Sequence, residues 1–184
     1  MPDFSEIIVR GNRRLTLQDC EILDRCSREI QARTIVEIGS MDGCSSMVLG
    51  FVAKDLGGHL YCIEPNPKTR WKQNIEDLHL GSCVTLIMQA SPWVNLNLIP
   101  KPIDFLFIDG DHRTRWCLVD YHFWEKFVRP GGRIAFHDWT GSKRVGEWVQ
   151  RAVGIILEDD SLIEVARYEA SDRGIIVFEK PKDE

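Results

Sequence analysis

Two short stretches of the chain concentrate carboxylates and imidazoles, Asp109-Gly110-Asp111-His112 and His137-Asp138. A carboxylate accepts hydrogen bonds from hydroxyl groups, and a histidine titrates near neutrality, so it can take a proton from one. Each stretch closes an apolar run that is typical of a buried strand, Ile103–Ile108 and Arg133–His137. If the fold brings the two stretches together, we expect a site that binds a hydroxyl group and moves its proton.

A third polar stretch, Glu37-Ile38-Gly39-Ser40-Met41-Asp42-Gly43-Cys44-Ser45, follows a short β-branched run. Its two glycines allow a sharp turn and the close approach of a ligand to the backbone. The spacing is not the G-x-G-x-x-G of NAD-binding proteins, because Met41 stands at the central glycine position. The turn therefore predicts a ligand-binding loop and disfavours a dinucleotide.

Strand-like and helical patterns alternate along the chain. Thr16 followed by Asp19 resembles a capping box and begins a predicted helix over 16–31. Further helices are predicted around 47–51 and at 66–78, 114–128 and 145–157, the third of these ended by Pro130-Gly131-Gly132. Strands are predicted at 34–38, 58–63, 84–88, 103–108, 133–137, 162–168 and 174–178.

This alternation predicts an α/β fold, a Rossmann-like doubly wound sheet with helices on both faces. The sheet is mostly parallel, and the short last connection makes the final two strands an antiparallel hairpin. Ligands of such sheets bind beyond the carboxyl ends of the strands, where the strand order reverses. The candidate site segments are the strand ends Glu37–Gly43, Glu64–Asn66, Gln89–Ser91, Asp109–His112 and His137–Trp139.

The segment Val36-Glu37-Ile38-Gly39-Ser40-x-x-Gly43-x-Ser45 resembles the first motif of class I S-adenosylmethionine-dependent methyltransferases, in the small-molecule O-methyltransferase branch. Together with Ile103–His112, Pro130-Gly131-Gly132 and His137-Asp138, it is similar to the group of macrocin O-methyltransferase-like and cephalosporin-hydroxylase-like proteins. The resemblance runs from about residue 16 to 180. It divides the chain into an N-terminal extension, 1–15, and a methyltransferase domain, 16–184.

The resemblance implies S-adenosylmethionine as cofactor, with the glycine turn against its methionine part. Glu64 stands where an acidic residue of the family binds both ribose hydroxyls. The family's usual aspartate for the adenine amino group is replaced by Gln89-Ala90-Ser91, which leaves that contact to Gln89, Ser91 or backbone. The expected cofactor-binding residues are Glu37, Gly39, Ser40, Met41, Gly43, Ser45, Glu64, Pro65, Asn66, Gln89, Ala90, Ser91, Asp109 and Gly110.

Methyl transfer from a sulfonium to a hydroxyl is an in-line displacement, so the hydroxyl must be aligned and preferably deprotonated. We expect His112 as the base beside Asp109, although a histidine that only caps the following helix stays an alternative. Metal-dependent relatives hold a divalent cation with residues at the positions of Asp109, His137 and Asp138. Mg²⁺ prefers oxygen ligands, so the histidine weakens a magnesium site and favours a softer metal such as Mn²⁺.

The formal net charge of −5 argues against a general electrostatic grip on nucleic acid or on an anionic membrane. No apolar run approaches the roughly 20 residues of a membrane span, and the N-terminus lacks the order of a signal peptide. The six cysteines are scattered singly and are expected to be buried, reduced thiols. We therefore expect a cytoplasmic enzyme.

Its partner would be a small-molecule or sugar acceptor, and a homodimer stays open. Two other functions compete with this expectation. The chain could bind S-adenosylmethionine without catalysis, or, against the broken glycine pattern, it could be an NAD-binding oxidoreductase.

Overall fold

A computed structural model describes residues 2–140, 143–159, 161–169 and 173–182. Its strands form one seven-stranded sheet in the order β3-β2-β1-β4-β5-β7-β6. The strands are β1 (Thr34–Ile38), β2 (His59–Ile63), β3 (Val84–Ile87), β4 (Ile103–Ile108), β5 (Val128–His137), β6 (Ile163–Glu169) and β7 (Gly174–Glu179). All neighbours are parallel except β7, which runs antiparallel to both β5 and β6. The predicted Rossmann-like sheet with an antiparallel hairpin is confirmed.

The strand order reverses between β1 and β4, which pair in register from Ile35 opposite Phe105 to Ile38 opposite Ile108. The carboxyl ends of these two strands therefore lie side by side, and the segments after them can share one site. At the far edge of the sheet, β6 exposes the charged residues Glu164, Arg167 and Glu169. The Arg167 guanidinium lies 2.6 Å from a Glu164 carboxylate oxygen and 3.2 Å from one of Glu169.

Helices cover both faces of this sheet. They are α1 (Phe4–Arg10), α2 (Leu17–Glu29), α3 (Cys44–Leu56), α4 (Thr69–Asp77), α5 (Thr114–Trp124) and α6 (Lys143–Asp159), with single 3₁₀ turns at Leu96–Leu98 and Glu125–Phe127. Residues of α2, α3 and α4 share one buried apolar cluster with Ile35 and Phe105. Residues of α5 and α6 share another with Val36 and Leu106, as the alternation of side chains along a strand requires.

The predicted capping box of α2 is confirmed. The Thr16 hydroxyl oxygen accepts a hydrogen bond from the Asp19 backbone N–H at 3.2 Å, and Asp19 Oδ2 accepts one from the Thr16 backbone N–H at 2.9 Å. These two bonds satisfy donors that a helix start leaves unpaired. They also fix the direction of the Asp19 side chain, which is fully buried.

Two predicted boundaries are wrong for identifiable reasons. Helix α4 begins at Thr69, not at Asn66, because Glu64 holds the Asn66 backbone N–H and keeps that segment in a turn. Pro130-Gly131-Gly132 does not end α5, which stops at Trp124. It lies inside β5, where Gly131 has a φ of +69° and the pairing with β4 shifts register.

The segment before α2 contains a helix of its own that the sequence patterns did not predict. Ile7 of α1 is buried in the cluster of α2 and α3. The Asn74 side-chain amide donates to the Arg10 carbonyl at 3.2 Å and to the Asp42 carbonyl at 3.0 Å. These contacts bring the chain between α1 and α2 next to the glycine turn.

All six cysteines are free and buried, as predicted. Among the helices of the described residues, none is long and apolar enough to cross a membrane.

Candidate functional site

A cleft of about 680 Å³ opens beyond the carboxyl ends of β1, β2, β4 and β5. This volume lies within the range of small-molecule sites, roughly 300 to 1,000 Å³. Most of the residues predicted from the strand ends line it, namely Gly39, Ser40, Met41, Ser45, Glu64, Pro65, Ala90, Ser91, Asp109, Gly110, His112, His137 and Asp138. The topology thus brings together segments that are about 100 residues apart in sequence.

Four predicted site residues, Glu37, Gly43, Asn66 and Gln89, lie outside the lining of this cleft. Glu37 is fully buried beneath the glycine turn, where the Ser45 and Ser46 hydroxyls donate to its carboxylate. Gln89 turns outward, and its side-chain oxygen accepts from the Asn95 backbone N–H at 2.8 Å. The structure gives Glu37 a supporting position behind the turn and directs Gln89 away from the cleft.

The glycine turn depends on the missing side chain of Gly39. Its φ is +84°, and a Cβ atom there would lie 2.2 Å from the Asp109 carbonyl oxygen. Only glycine permits this close approach of the ends of β1 and β4. Beside it, the Ser40 hydroxyl lines the cleft, is buried, and has no hydrogen-bond partner among the described residues. It is available to a ligand.

Glu64 holds the same turn from the end of β2. Its Oε2 accepts from the backbone N–H groups of Ser40 and Met41 at 3.2 and 3.3 Å, and its Oε1 accepts from that of Asn66 at 2.8 Å. Each oxygen of an ionised carboxylate accepts about two hydrogen bonds, so capacity for about one more remains at Oε1. The backbone contacts hold the Glu64 carboxylate in place at the cleft.

At the other end of the cleft, Asp109, His112, His137 and Asp138 form one cluster. The Nε2 atom of His112 lies 2.7 Å from Asp138 Oδ2 and 3.2 Å from Asp109 Oδ1. The Nδ1 atom of His137 lies 3.1 Å from Asp109 Oδ1 and 3.7 Å from Asp138 Oδ2. Each of the two imidazoles therefore lies within 3.7 Å of both carboxylates.

Asp138 joins this cluster through an unusual backbone conformation. The side chains of consecutive residues in a strand point to opposite faces of the sheet. The side chains of His137 and Asp138 nevertheless both belong to the cluster around Asp109. Asp138 has a φ of +54°, in the left-handed region that aspartate tolerates better than most residues. The turn of the chain at Asp138 brings its carboxylate back beside the imidazole of His137.

The cluster shifts the proton affinities of its members. Burial alone would lower the pKa of His112, but its contacts with Asp109 and Asp138 outweigh burial and raise that pKa to about 10. The same balance of burial against Asp109, Asp19 and Asp138 raises the pKa of His137 well above its usual value. Burial opposes the charge of Asp109, yet the two imidazoles hold its pKa below the ordinary range.

The donor set of the cluster fits a divalent cation. One ligand atom each from Asp109, His137 and Asp138 lies within 4.8 Å of the others. Two carboxylate oxygens and one imidazole nitrogen suit Mn²⁺ better than Mg²⁺, which prefers oxygen alone. The imidazole of His112 contacts the carboxylates of Asp109 and Asp138, so it would share these two groups with a bound cation.

Sequence reasoning missed several residues of the cleft, of which Asp120 is the most informative. Asp120 lies on α5, is 5% exposed, and hydrogen-bonds Ser91, which also accepts from the Trp124 indole N–H at 2.9 Å. Burial raises the pKa of Asp120 to about 6, against the Ser91 contact. The sequence does contain a signal for the burial of Asp120. It lies three residues after Cys117 and four before Trp124, on the buried side of α5.

The N-terminal segment also contributes to the cleft. Arg14 and Leu15, which precede α2, line it together with Arg173 at the start of β7. The Arg173 guanidinium donates to the Arg13 carbonyl oxygen, which links the N-terminal segment to the final hairpin. Two tryptophans, Trp93 and Trp116, meet edge to face at the rim, with 6.3 Å between ring centroids.

Comparison with known proteins identifies a family, and a curated relative is similar over much of the chain. A family model described as a methyltransferase domain matches residues 36–139, from β1 to just after β5. Uncharacterized protein R132 of Acanthamoeba polyphaga mimivirus is 33% identical over 133 residues, 68% of this chain and 60% of that protein. The chain thus spans 60% of the length of the curated relative that it matches.

Solved structures resemble the whole chain. The O-methyltransferase from Bacillus cereus, solved in complex with SAH, has a TM-score of 0.76 and 20% identity, covering 98% of this chain and 93% of that one. The O-methyltransferase TomG from Streptomyces achromogenes, involved in tomaymycin synthesis and solved with SAM, has a TM-score of 0.74 and 15% identity, covering 98% and 91%. At these identities the likeness shows a shared fold.

The burial of Glu37 leads to a prediction about pH. Burial raises the pKa of its carboxyl to about 7, against hydrogen bonds from Cys62, Ser45 and Ser46, and its usual value is 4.5. The folded state thus holds the proton more tightly than the unfolded chain. Its contribution to stability is complete below pH 4.5 and is lost as the pH rises through about 7.

We expect Glu37→Gln to remove this loss. Relative to the unchanged protein, the free energy of unfolding of Glu37→Gln should rise between pH 5 and pH 8 by up to about 3 kcal/mol. Urea unfolding of both proteins at several pH values measures the difference. Glu76→Gln, which removes an exposed carboxylate of α4, is the control. Parallel pH profiles for Glu37→Gln and the unchanged protein would contradict the prediction.

Proposed function

Since the chain belongs to the methyltransferase domain family, we propose that it binds S-adenosylmethionine and transfers its methyl group to a hydroxyl of a small molecule or sugar. The observation that carries the proposal is the joining of two half-sites in one cleft. Glu64 and the glycine turn lie at one end, and the cluster of Asp109, His112, His137 and Asp138 lies at the other. The two halves suit a nucleoside and a hydroxyl acceptor, respectively.

Binding of the donor would rest on the turn and on Glu64. The carboxylate accepts one ribose hydroxyl at Oε1, where its backbone contacts leave capacity, and a second hydroxyl would have to share Oε2 with the backbone N–H groups of Ser40 and Met41. The charge of Glu64 strengthens these hydrogen bonds. The methionine part packs along the glycine turn, of which Gly39, Ser40 and Met41 line the cleft. The Ser40 hydroxyl gains the partner that it lacks within the described residues.

Recognition of adenine would rest on Asp120 and Ser91. The family's aspartate at the end of the third strand is absent, and Gln89 turns away from the cleft. Asp120 approaches the end of β3 from α5 and lines the same cleft, beside Gly110. A buried carboxylate oxygen is a strong acceptor for an exocyclic amino group. Asp120 thus takes the place of the missing aspartate from another element.

In the chemical step, His112 accepts the proton of the acceptor hydroxyl, and Asp109 and Asp138, which lie 3.2 and 2.7 Å from its Nε2, stabilise the resulting imidazolium. A base must be neutral, and with both carboxylates charged the pKa of His112 is about 10. For His112 to be neutral, a second positive charge must therefore pair with the carboxylates of Asp109 and Asp138. A divalent cation held by Asp109, His137 and Asp138 would supply this charge, together with Lewis acidity and a template for the hydroxyl.

The first test is calorimetric titration with S-adenosylhomocysteine and, separately, with NAD, in chelator and then with Mg²⁺ or Mn²⁺. We expect micromolar binding of S-adenosylhomocysteine and none of NAD. Glu64→Ala should weaken that binding about 5- to 150-fold, the equivalent of 1 to 3 kcal/mol for charged hydrogen bonds. Glu76→Ala, on the exposed side of α4, should bind as the unchanged protein does.

Each other result of this titration points to a competing function. Binding of NAD alone would favour an oxidoreductase and end the proposal. An unchanged affinity of Glu64→Ala for S-adenosylhomocysteine would exclude a contact between Glu64 and the ribose. Tight S-adenosylhomocysteine binding without transfer to any hydroxyl in an acceptor screen would favour a binding module without catalysis.

A second prediction concerns adenine. Asp120→Ala should weaken S-adenosylhomocysteine binding about tenfold, because one charged hydrogen bond is lost. The affinity for S-inosylhomocysteine, which has a carbonyl in place of the amino group, should not fall. Equal losses for both ligands would mean that Asp120 supports the cleft without reading the base. Calorimetry measures both affinities.

A third prediction concerns proton transfer. With an acceptor found by screening hydroxyl compounds against radiolabelled S-adenosylmethionine, His112→Ala should slow turnover about 100-fold or more and leave S-adenosylhomocysteine affinity unchanged. Activity of the unchanged protein should rise with pH as His112 loses its proton, and this dependence should disappear in the variant. His122→Ala, which removes an exposed histidine of α5, is the control. Undiminished turnover in His112→Ala would exclude the role of base.

A further inference from the structure

A third carboxylate lies behind the cluster, on the side away from the cleft. Asp19 of α2 is fully buried, and its Oδ2 lies 3.6 Å from Nε2 of His137, which is 3% exposed. Among the described residues, His137 Nε2 and Asp19 Oδ1 have no hydrogen-bond partner. The buried Nε2 of His137 thus lacks a hydrogen-bond partner although it lies next to a buried carboxylate that itself has one unpaired oxygen, and an unpaired buried polar group is destabilising.

The capping box explains only part of this arrangement. Asp19 Oδ2 accepts from the backbone N–H of Thr16 at 2.9 Å and from its hydroxyl at 2.8 Å. A helix cap of this kind usually lies at the surface and needs no imidazole. Here the cap instead fixes a carboxylate at a set distance from the end of β5. A rotation that brings the two side chains about 0.7 to 0.9 Å closer than their 3.6 Å separation would give a charge-assisted hydrogen bond of about 2.7 to 2.9 Å.

We propose that Asp19 is a positioning residue that accepts a hydrogen bond from Nε2–H of His137 and thereby directs Nδ1 at Asp109 and Asp138. This inference rests on the proposed function, because it assigns His137 to the cluster of the cleft. A carboxylate can only accept, so a proton stays on Nε2. Nδ1 is then the nitrogen that either donates a proton to Asp109 or offers its lone pair to a cation.

The alternative orientation shows why this matters. If Nε2 lost its proton, neutral His137 would carry its single proton on Nδ1, which lies 3.1 Å from Asp109 Oδ1. That proton would occupy the point where the donor atoms of Asp109, His137 and Asp138 converge. Partners of this type commonly change metal affinity 10- to 100-fold when they are removed. Asp19 precedes the family match at residues 36–139, so α2 contributes it from outside that region.

Nuclear magnetic resonance of protein labelled with ¹⁵N at histidine tests the proposal directly. In chelator at neutral pH, the ring nitrogens of His137, assigned with His137→Gln, should show a proton on Nε2. Asp19→Asn presents an amide that can donate to Nε2, so the proton should move to Nδ1 alone. Mn²⁺ affinity, measured by electron paramagnetic resonance, should fall about 10- to 100-fold in this variant. Its S-adenosylhomocysteine affinity should stay unchanged.

Thr16→Ala is the matched control, since it weakens the same helix cap and keeps the Asp19 carboxylate. It should lower the midpoint of urea unfolding, because the cap hydrogen bond to the Asp19 backbone N–H is lost. Its His137 signals and Mn²⁺ affinity should match the unchanged protein. This control separates the loss of a helix cap from the loss of the contact with His137.

An unprotonated Nε2 in the unchanged protein would overturn the proposal, even if Asp19→Asn failed to fold. Unaltered ring signals in a folded Asp19→Asn would overturn it as well and leave Asp19 as a helix cap only. If the unchanged protein bound no Mn²⁺, the metal part of the proposed function would fail, and the ring signals would still decide the role of Asp19. If it bound no S-adenosylhomocysteine, the proposed function would fail separately.

Discussion

The carboxylate of Asp109 carries its charge where only one fifth of the side chain meets solvent, and two imidazoles balance that charge. A charge shielded from water is tolerated only when it is paired and hydrogen-bonded. One imidazole comes from the turn before α5 and the other from the end of β5, so the balance requires both segments in place. The cluster of carboxylates and imidazoles in the cleft therefore follows from how the fold neutralises one aspartate.

The backbone of the same residue determines the other end. The Asp109 carbonyl packs against Gly39 so closely that no side chain fits between them. This contact draws the glycine turn, and with it Glu64, toward the strand that carries the cluster. A donor bound on the turn and an acceptor bound at the cluster would then share one wall. If the proposed function holds, the junction of β1 and β4 would contribute to the alignment of the two that methyl transfer requires.

Much of this arrangement could be predicted from the sequence, because it follows from local patterns and one topological rule. Apolar periodicity located the strands, and the rule for parallel sheets then selected their polar ends, including Glu64, Asp109 and Asp138. The resemblance to class I methyltransferases is confirmed in family and fold. The finer placement near the macrocin O-methyltransferase-like group stays a prediction.

What the sequence could not supply depends on contacts between distant elements. Asp120 was not among the predicted site residues, since its contact with Ser91 arises only when α5 packs beside the end of β3. Gln89 belonged to a candidate segment, but the direction of its side chain is set by Asn95. Asp19 was recognised as a cap, yet nothing in the local pattern shows His137 opposite it. Long-range packing decides such roles, and a single sequence records it weakly.

The charged residues along β6 affect how this molecule meets others of its kind. An edge strand presents unpaired backbone groups on which another chain can add a strand. Here an added strand would have to desolvate the exposed side chains of Glu164, Arg167 and Glu169 and disrupt the ion pairs among them. The antiparallel hairpin that completes the sheet thus also limits its growth, and it lowers the tendency of neighbouring molecules to aggregate by extending the sheet from this side.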